Sequence, residues 1–367
     1  MTSISSVGQS AALTILRSIA TPASATSSHP VNPVDIVTTA TPYAALEAIV
    51  DIIVLSGKTF EGGEGDDHVL AHSGTVIDAG DGNNTVLASF NSQVRSGSGK
   101  DTVWANAYNS VQTGNGDDVI LLNSSNSIDA GEGDDRIAAN AENSIRGSGG
   151  NDAILVNHGN SVDGGDGNNT ISANAYNTII TGAGNDLINV HVRNTVDAGD
   201  GDNQIFGSFE NQIKTGRGSD WIQSGDSVID SGAGDDRIVA FSSVIEAGEG
   251  NDVIDARRDR NQIHGGRGDD KININGSAIM RYGIGHGMDS IAIRGSALLA
   301  FEPEITSGKT KIEYDGAIAT ISFTDNESDR ITVDLTKGEL SLSFADGTSI
   351  DLIPIEVRSV VSAYQAH

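Results

Sequence analysis

A glycine-rich turn that ends in an aspartate recurs along this chain of 367 residues. The turn reads GGEGDD at 62–67, AGEGDD at 130–135 and GGRGDD at 265–270. Glycine permits left-handed backbone conformations, so a turn of this kind exposes carbonyl oxygens, and the aspartate adds a carboxylate. A hard cation such as calcium takes six to eight oxygen ligands of these two kinds. The repeated turn therefore has the chemistry of a cation site.

The turns follow one another at a nearly constant spacing. Fourteen units start between Gly63 and Gly285, and nine of the thirteen intervals are 17 residues, the others being 16, 16, 18 and 19. Self-similarity at a short fixed period is the signature of a solenoid, in which each repeat forms one coil and is stabilised by its neighbours. We therefore expect one turn of this type in each coil.

Two rows of apolar residues run through the repeat. The seventh place of each unit is valine or isoleucine from Val69 to Ile291, and a second such row runs from Ile77 to Ile263 until Tyr282 breaks it. Branched side chains that alternate with polar ones favour strands. The predicted fold is all-β: a β-solenoid of about 14 coils with two strands per coil, an N-terminal cap and a small C-terminal antiparallel β-unit.

With the residues that follow it, the turn reads G-G-x-G-x-D-x-U-x, where U is a large aliphatic residue. This pattern resembles the RTX (repeats-in-toxin, hemolysin-type) nonapeptide repeat of calcium-binding β-roll proteins, over residues 62–293. The resemblance implies several calcium ions in one row, bound by the residues that we call the aspartate row: Asp67, Asp101, Asp118, Asp135, Asp152, Asp186, Asp220, Asp236, Asp252, Asp270 and Asp289.

Three units depart from this pattern. Asn84, Asn169 and Asn203 stand in the aspartate place, and we expect those sites to be weaker or empty. The alternative for the whole row is a dry, glycine-turned solenoid that kept the motif without binding cations.

The opposite edge of each coil has no acidic turn. An RTX roll usually carries nonapeptides back to back, whereas here nine motif residues alternate with eight of another kind. Stacked asparagines can hydrogen-bond along a solenoid and satisfy turn backbones, so we interpret this edge as structural, with a carbohydrate-binding row as the alternative. The asparagine ladder comprises Asn109, Asn126, Asn143, Asn160, Asn177, Asn194 and Asn211.

The eighth place of each unit should point outward, because it lies between two inward places of a strand. An outward row should be polar, but the first six residues here are apolar, and an exposed apolar patch indicates contact. We expect either the N-terminal segment or another molecule to cover this apolar row, which comprises Leu70, Leu87, Trp104, Leu121, Ala138 and Leu155.

Composition excludes several functions. The formal net charge of −28 is unsuited to nucleic acid, whose phosphates need a basic surface. The chain has no cysteine and no apolar run of the ~18 residues that a membrane span needs. The motifs H-E-x-x-H, G-x-S-x-G and G-x-x-x-x-G-K-[ST] are missing, so we predict no catalytic residues. The histidines are scattered over different rows, and we expect most of them at the surface.

The pattern divides the chain into three parts. Residues 1–56 are predicted to form a lead-in with a linker and cap, residues 57–295 the solenoid, and residues 296–367 a C-terminal β-unit that includes a secretion signal. In the last part, hairpin turns are predicted at the dipeptides Asp315-Gly316, Lys337-Gly338 and Asp346-Gly347. The N-terminus has no evident secretory signal peptide. With the RTX resemblance, this suggests type I secretion to the extracellular space or the cell surface.

Two functions remain open from the sequence. The first is a secreted calcium-binding structural or surface protein, self-assembling as a matrix, filament or surface layer. The second is a polysaccharide-active enzyme or its accessory module, for which extracellular polysaccharide would be the partner. The nearest resemblance to a catalytic cluster is Arg257, Arg258 and Arg260 with Asp255 and Asp259, which we interpret as a surface loop.

Overall fold

A computed structural model describes residues 52–353, as strands joined by short turns and one 3-10 helix, Ser307–Lys309. The chain divides into two compact units, residues 1–196 and residues 197–367. The N-terminal segment before Ile52 and the predicted secretion signal after residue 353 lie outside the described residues.

The first unit is a parallel β-solenoid. Each strand pairs with the strand two further along the chain at an offset of 17 residues, so that Val69 pairs with Val86 and Ile77 pairs with Val94. Its strands are β1 (Ile52–Val54), β2 (Thr59–Gly63), β3 (His68–Ala71), β4 (Val76–Gly80), β5 (Thr85–Phe90), β6 (Gln93–Arg95), β7 (Thr102–Ala107), β8 (Ser110–Asn115), β9 (Val119–Ser124), β10 (Ser127–Glu132), β11 (Arg136–Ala141), β12 (Ser144–Gly149), β13 (Ala153–His158), β14 (Ser161–Asp163), β15 (Thr170–Ala175), β16 (Thr178–Ile180) and β17 (Leu187–Val192); β18 (Thr195–Asp197) spans the boundary between the units.

The second unit continues the same pattern of parallel pairs with less regular offsets. Ile222 pairs with Ile238 at 16 residues, Ile254 pairs with Ile272 at 18, and Ile272 pairs with Ile291 at 19. Its strands are β19 (Gln204–Phe209), β20 (Gln212–Lys214), β21 (Trp221–Gly225), β22 (Val228–Asp230), β23 (Arg237–Phe241), β24 (Val244–Glu249), β25 (Val253–Arg257), β26 (Asn261–Arg267), β27 (Lys271–Tyr282), β28 (Met288–Phe301), β29 (Thr310–Asp315), β30 (Ile318–Phe323), β31 (Asn326–Asp334), β32 (Glu339–Ser343) and β33 (Ser349–Leu352).

The two predicted aliphatic rows form the core of each unit. Val69, Ile120 and Ile188 in the first row are fully buried, and Ile77 in the second row is 1% exposed. Removing such a side chain from water contributes roughly 1.5–3 kcal/mol to the free energy of unfolding. This contribution is made only when one coil stacks on the next. The predicted all-β solenoid is confirmed, with about 15 turns of about 17 residues.

The C-terminal strands contain two of the three predicted hairpins. β29 and β30 pair antiparallel across Asp315-Gly316, and β32 and β33 pair antiparallel across Asp346-Gly347. The hairpin predicted at Lys337-Gly338 is wrong. β31 and β32 do not pair with each other; both pair parallel with β28 and so form a further solenoid coil.

Packing explains the glycine at that corner. A Cβ atom on Gly338 would lie 2.5 Å from Cγ2 of Ile293, so the chain needs a residue without a side chain where it approaches the strand below. The Lys-Gly dipeptide lies between two strands in which apolar and polar residues alternate. It therefore forms a corner of a coil here and not a hairpin turn.

Candidate calcium sites

The aspartate row is positioned by turns whose backbones stack almost in contact. Gly116 has a φ of 134°, and a Cβ atom there would lie 1.7 Å from the carbonyl oxygen of Gly99, one coil earlier. Only glycine allows both the left-handed backbone and this approach. The turns thus place backbone carbonyl oxygens and carboxylates one coil apart, as the motif predicts.

Most of the aspartate row lies inside the turns and not on their outer surface. Asp67 is half-buried and Asp289 is 5% exposed, but the other nine carboxylates are at most 1% exposed. One carboxylate oxygen, Oδ1, accepts a hydrogen bond from the backbone N–H of the equivalent residue one coil earlier. The N–H of Asp101 donates to Asp118 at 2.8 Å, and the N–H of Asp135 donates to Asp152 at 2.9 Å.

The second carboxylate oxygen, Oδ2, has no such partner. The hydroxyl of Thr113 lies close enough to Asp118 to oppose the rise in the pKa of its carboxyl that burial causes. This hydroxyl donates its hydrogen bond to the carbonyl of Ala130, at 2.8 Å, and not to Oδ2 of Asp118. Among the described residues, Oδ2 is buried without a hydrogen-bond partner in eight members of the row: Asp101, Asp118, Asp135, Asp152, Asp220, Asp236, Asp252 and Asp270.

Asn84 shows what this position requires. Its Oδ1 accepts the N–H of Asp67 at 2.9 Å, in the same way as the aspartates. Its amide nitrogen, which takes the place of Oδ2, donates to the carbonyls of Gly80 and Gly82 at 3.2 Å each and of Ser96 at 3.1 Å. An aspartate in this place brings a fourth acceptor to three carbonyl acceptors. A cation or a proton must then lie among them, since a buried polar group without a partner is costly.

Burial dominates the titration of these carboxylates. It raises the pKa of Asp101 to about 6 and that of Asp236 to about 7, against the lowering effect of the backbone hydrogen bonds that they accept and of the neighbouring hydroxyls of Ser96 and Ser231. In Asp135 the neighbouring Asp152 and Asp118 raise the pKa further, to about 8, and Asp270 reaches about 8 for the same reasons. A bound cation has the opposite effect: it lowers the pKa of these carboxylates because it favours their ionised form.

The residues present therefore fit a hard, oxygen-seeking cation: buried carboxylate oxygens that lack a donor, beside glycine carbonyls. Fold and turns together define a calcium-binding repeat β-solenoid. The family model of the RTX calcium-binding nonapeptide repeat matches the chain in four copies, over residues 163–190, 193–211 and 241–272. This match confirms the predicted resemblance, and the chain contains RTX calcium-binding repeats. No curated protein matches the chain significantly.

The asparagine ladder is held by hydrogen bonds within the chain. The N–H of Asn109 donates to Oδ1 of Asn126 at 2.9 Å, and the N–H of Asn126 donates to Asn143 at 3.0 Å. The amide of Asn109 also donates to the carbonyl of Ser89 at 3.2 Å. All seven asparagines are 1–2% exposed. Their backbone-facing hydrogen bonds leave little of these side chains for a carbohydrate.

One feature of this edge was missed from the sequence. The residue before six of the seven ladder asparagines adopts the left-handed conformation without being glycine, as in Tyr108, Ser125 and Glu142, with φ near 56°, and Gly159 before Asn160 is the exception. Left-handed residues of this size are uncommon, and their varied side chains give no pattern. The asparagine that follows is the only sequence signal for this turn.

The apolar row lies on the strands, but its side chains are more buried than we expect of an outward row. Leu87, Leu121 and Ala138 are 5%, 2% and 1% exposed, and Leu70 and Trp104 are half-buried. Leu155 is half-buried as well. The row stays a predicted interface.

The arginine cluster on the second unit is occupied by local contacts. Arg257 forms an ion pair with Asp255 at 2.6 Å and lies over the ring of Phe241, as does Arg258. Asp259 accepts the backbone N–H of Ser277 at 2.9 Å. These contacts are those of a surface loop that is folded against its neighbours.

Two histidines differ from the predicted surface placement. His286 is 9% exposed and His264 is half-buried, with their ring centroids 5.0 Å apart. Their spacing of 22 residues departs from the period of the coils, so no row in the sequence brings them together.

Proposed function

We propose that this protein is a secreted calcium-binding structural or surface protein whose aspartate row holds the ions. The observation that supports this proposal is the convergence of acceptors at the aspartate turns. The amide of Asn84 donates to the turn carbonyls, whereas eight carboxylates of the row have an oxygen buried without a hydrogen-bond partner. Calcium supplies the positive charge that such a turn lacks. The carboxylates and the glycine carbonyls bind it, while the stacked glycines keep the two oxygen sets one coil apart.

The asparagine units define where calcium should be absent. The amide nitrogen of Asn169 donates to the carbonyls of Gly165 and Gly167 at 3.2 and 3.3 Å, and that of Asn203 donates to Gly201 at 2.9 Å. Because these donors satisfy the carbonyls directly, we propose that the three asparagine turns bind no ion. Calorimetric titration of calcium-depleted protein with calcium tests the proposal. Several ions per chain are expected, and a flat titration would contradict it.

Secretion depends in this account on the C-terminal end of the chain. Deleting Pro354–His367 should leave the protein inside a host that carries a type I secretion system, because the signal for that route lies near the C-terminus. The measurement is the fraction of protein in the culture medium. The matched control deletes residues 1–20. Loss of secretion in the control alone would reverse the assignment.

We further propose that the N-terminal segment, residues 1–51, covers the apolar row. It precedes β1, which pairs with β3 in the coil that carries Leu70, and it contains the apolar residues Leu13, Ile15 and Leu16. Burial of a leucine is worth ~1.5–3 kcal/mol, so the half-buried members Leu70, Trp104 and Leu155 would favour association if they were left uncovered. Calcium-dependent self-assembly into a filament or surface layer is the second use of such a surface.

The fluorescence of Trp104 tests whether the N-terminal segment covers the apolar row. In a Trp221→Phe background, deleting residues 1–40 should shift the Trp104 emission to longer wavelength, because the covered indole becomes wet. Fluorescence and light scattering are measured together at fixed calcium. If the emission is unchanged and the shortened protein is monomeric, the N-terminal segment is not the cover. If the emission is unchanged and the protein assembles, a neighbouring molecule covers the row.

A polysaccharide-active enzyme remains the second candidate class. The observation that favours an enzyme is the cluster of charged side chains in the loop at Arg257. Asp255 and Asp259 in this loop are, however, both bound to neighbouring groups. The described residues contain no helix long and apolar enough to cross a bilayer. We propose extracellular polysaccharide as a partner at the solenoid surface, with calcium held in the aspartate turns. We also propose the division at residues 56 and 295 as the domain organisation.

A further inference from the structure

Two histidines and a glutamate meet near the end of the parallel coils, beside the last glycine–aspartate turn, which contains His286 and Asp289. His264 lies on β26, His286 in the turn between β27 and β28, and Glu302 directly after β28. One ligand atom from each lies within 4.8 Å of the others. In a protein with many periodic acids, these two histidines follow no periodic pattern of their own.

His264 is held in a fixed orientation. Its Nδ1 lies 2.6 Å from Oε2 of Glu246, so the ring donates that proton to the carboxylate. Glu246 is itself held by an ion pair with Arg281. The other ring nitrogen, Nε2, then carries a lone pair, and it is buried without a hydrogen-bond partner among residues 52–353. A carboxylate on one nitrogen and an unused lone pair on the other is the arrangement of metal-binding histidines.

His286 and Glu302 converge on a point next to Gly283. A Cβ atom on Gly283 would lie 2.4 Å from Oε2 of Glu302 and 2.9 Å from Nε2 of His286. The N–H of Gly283 donates a long hydrogen bond to Nδ1 of His286 at 3.3 Å. Coordination of a metal through Nε2 therefore requires the other tautomer of the ring and the loss of this hydrogen bond. The ring packs against Tyr282, with centroids 5.2 Å apart. Glycine therefore leaves open the space between a nitrogen and a carboxylate oxygen.

We propose that His264, His286 and Glu302 bind a divalent transition-metal ion of the zinc class, with Glu246 as the positioning residue for His264. Imidazole nitrogen suits zinc and related ions, whereas calcium takes oxygen ligands, so this site is distinct from the aspartate row. Zinc bonds to nitrogen and oxygen are ~2.0–2.2 Å, so a tetrahedral site puts two ligand atoms ~3.4 Å apart. The ligand atoms, which lie within 4.8 Å of one another, must therefore approach by up to about 1.4 Å when the metal binds.

The site would fasten consecutive coils to one another. β26 and β27 are paired through His264 and Arg281, and β27 and β28 are paired along their length up to Tyr282 and Phe301. A metal bound to all three ligands links β26, the turn after β27 and the end of β28. Because the ion binds the folded state, it raises the melting temperature of the protein that contains it.

Full-length protein at saturating calcium, titrated with zinc by calorimetry, tests the proposal. One zinc ion per chain is expected to bind, and cobalt is expected to give the absorption spectrum of a site with nitrogen ligands. His264→Ala and Glu302→Gln should each lower zinc affinity at least ~10-fold, and Glu246→Gln should lower it ~10–100-fold. His72→Ala, which removes an exposed histidine elsewhere, should leave it unchanged.

Two results would overturn the proposal. The first is no zinc binding at micromolar concentration by folded, calcium-loaded protein. The second is zinc binding that Glu302→Gln and Glu246→Gln leave unaffected, since both replacements keep the size of the side chain. Circular dichroism at fixed calcium shows whether His264→Ala is folded, and where it is not, the two glutamine variants decide. Because calcium is constant throughout, a negative result leaves the function of the aspartate row untouched.

Discussion

Calcium-free protein should lose most of its strand content at neutral pH. An ionised carboxylate that is buried costs several kcal/mol even after the protein relaxes. Eight carboxylates of the aspartate row have an oxygen buried without a partner. A typical domain is stable by only about 5–15 kcal/mol in all. The penalty of several such groups therefore exceeds the stability of the fold, and the free energy of calcium binding becomes free energy of folding.

Far-ultraviolet circular dichroism measures this result. The strand signal should fall in excess chelator and return with millimolar calcium. Magnesium should not restore it, because magnesium holds its water shell and prefers strict octahedral geometry. Chelator that has been saturated with calcium beforehand is the control for effects of the chelator itself. Full strand content in the calcium-free protein would contradict the prediction.

Acidification should partly replace calcium. Burial raises the pKa of Asp135 and Asp270 to about 8 and of Asp289 to about 7 in the folded chain, compared with ~3.9 in an unfolded chain. The folded state therefore binds more protons than the unfolded state above pH 4. The resulting loss of stability is complete above pH ~8 and is relieved as the pH falls through the folded pKa values.

The comparison is made on protein depleted of calcium by dialysis against a chelating resin, because soluble chelators weaken in acid. Strand content at about pH 5.5 should exceed that at about pH 8, each pKa unit of difference being worth ~1.4 kcal/mol per carboxylate. The sequence pI of about 4.3 keeps the chain negatively charged at both values. Strand content that is equal at the two pH values, or lower in acid, would show that the buried carboxylates do not govern folding.

The sequence predicts the parts of this structure that repeat. Val69 and Ile77 head rows whose spacing alone indicates coils, strands and core, because every coil buries the same places. The turn chemistry is predictable for the same reason. Asn84 was recognised as a departure, but the donor role of its amide follows only from the carbonyls of Gly80 and Gly82, which the fold brings around it.

Features that occur once were not predictable. Gly338 resembles a hairpin residue, yet its place is set by contact with Ile293, 45 residues earlier in the chain. His264, His286 and Glu302 are brought together by coils of unequal length, whose offsets vary from 16 to 19 residues. A residue type that does not recur in its row gives no periodic signal, and its neighbours depend on how each irregular coil closes.

The most direct test of the aspartate row is to count bound calcium in the variant Asp135→Asn. The amide should donate to the turn carbonyls as that of Asn84 does, so the variant should bind fewer calcium ions than the parent protein and keep more strand when calcium is removed. Asp230→Asn, which removes the same charge from an exposed residue, is the matched control and should change neither quantity. Equal calcium counts in the parent protein and in Asp135→Asn, measured by equilibrium dialysis, would show that the buried carboxylates are not the ligands.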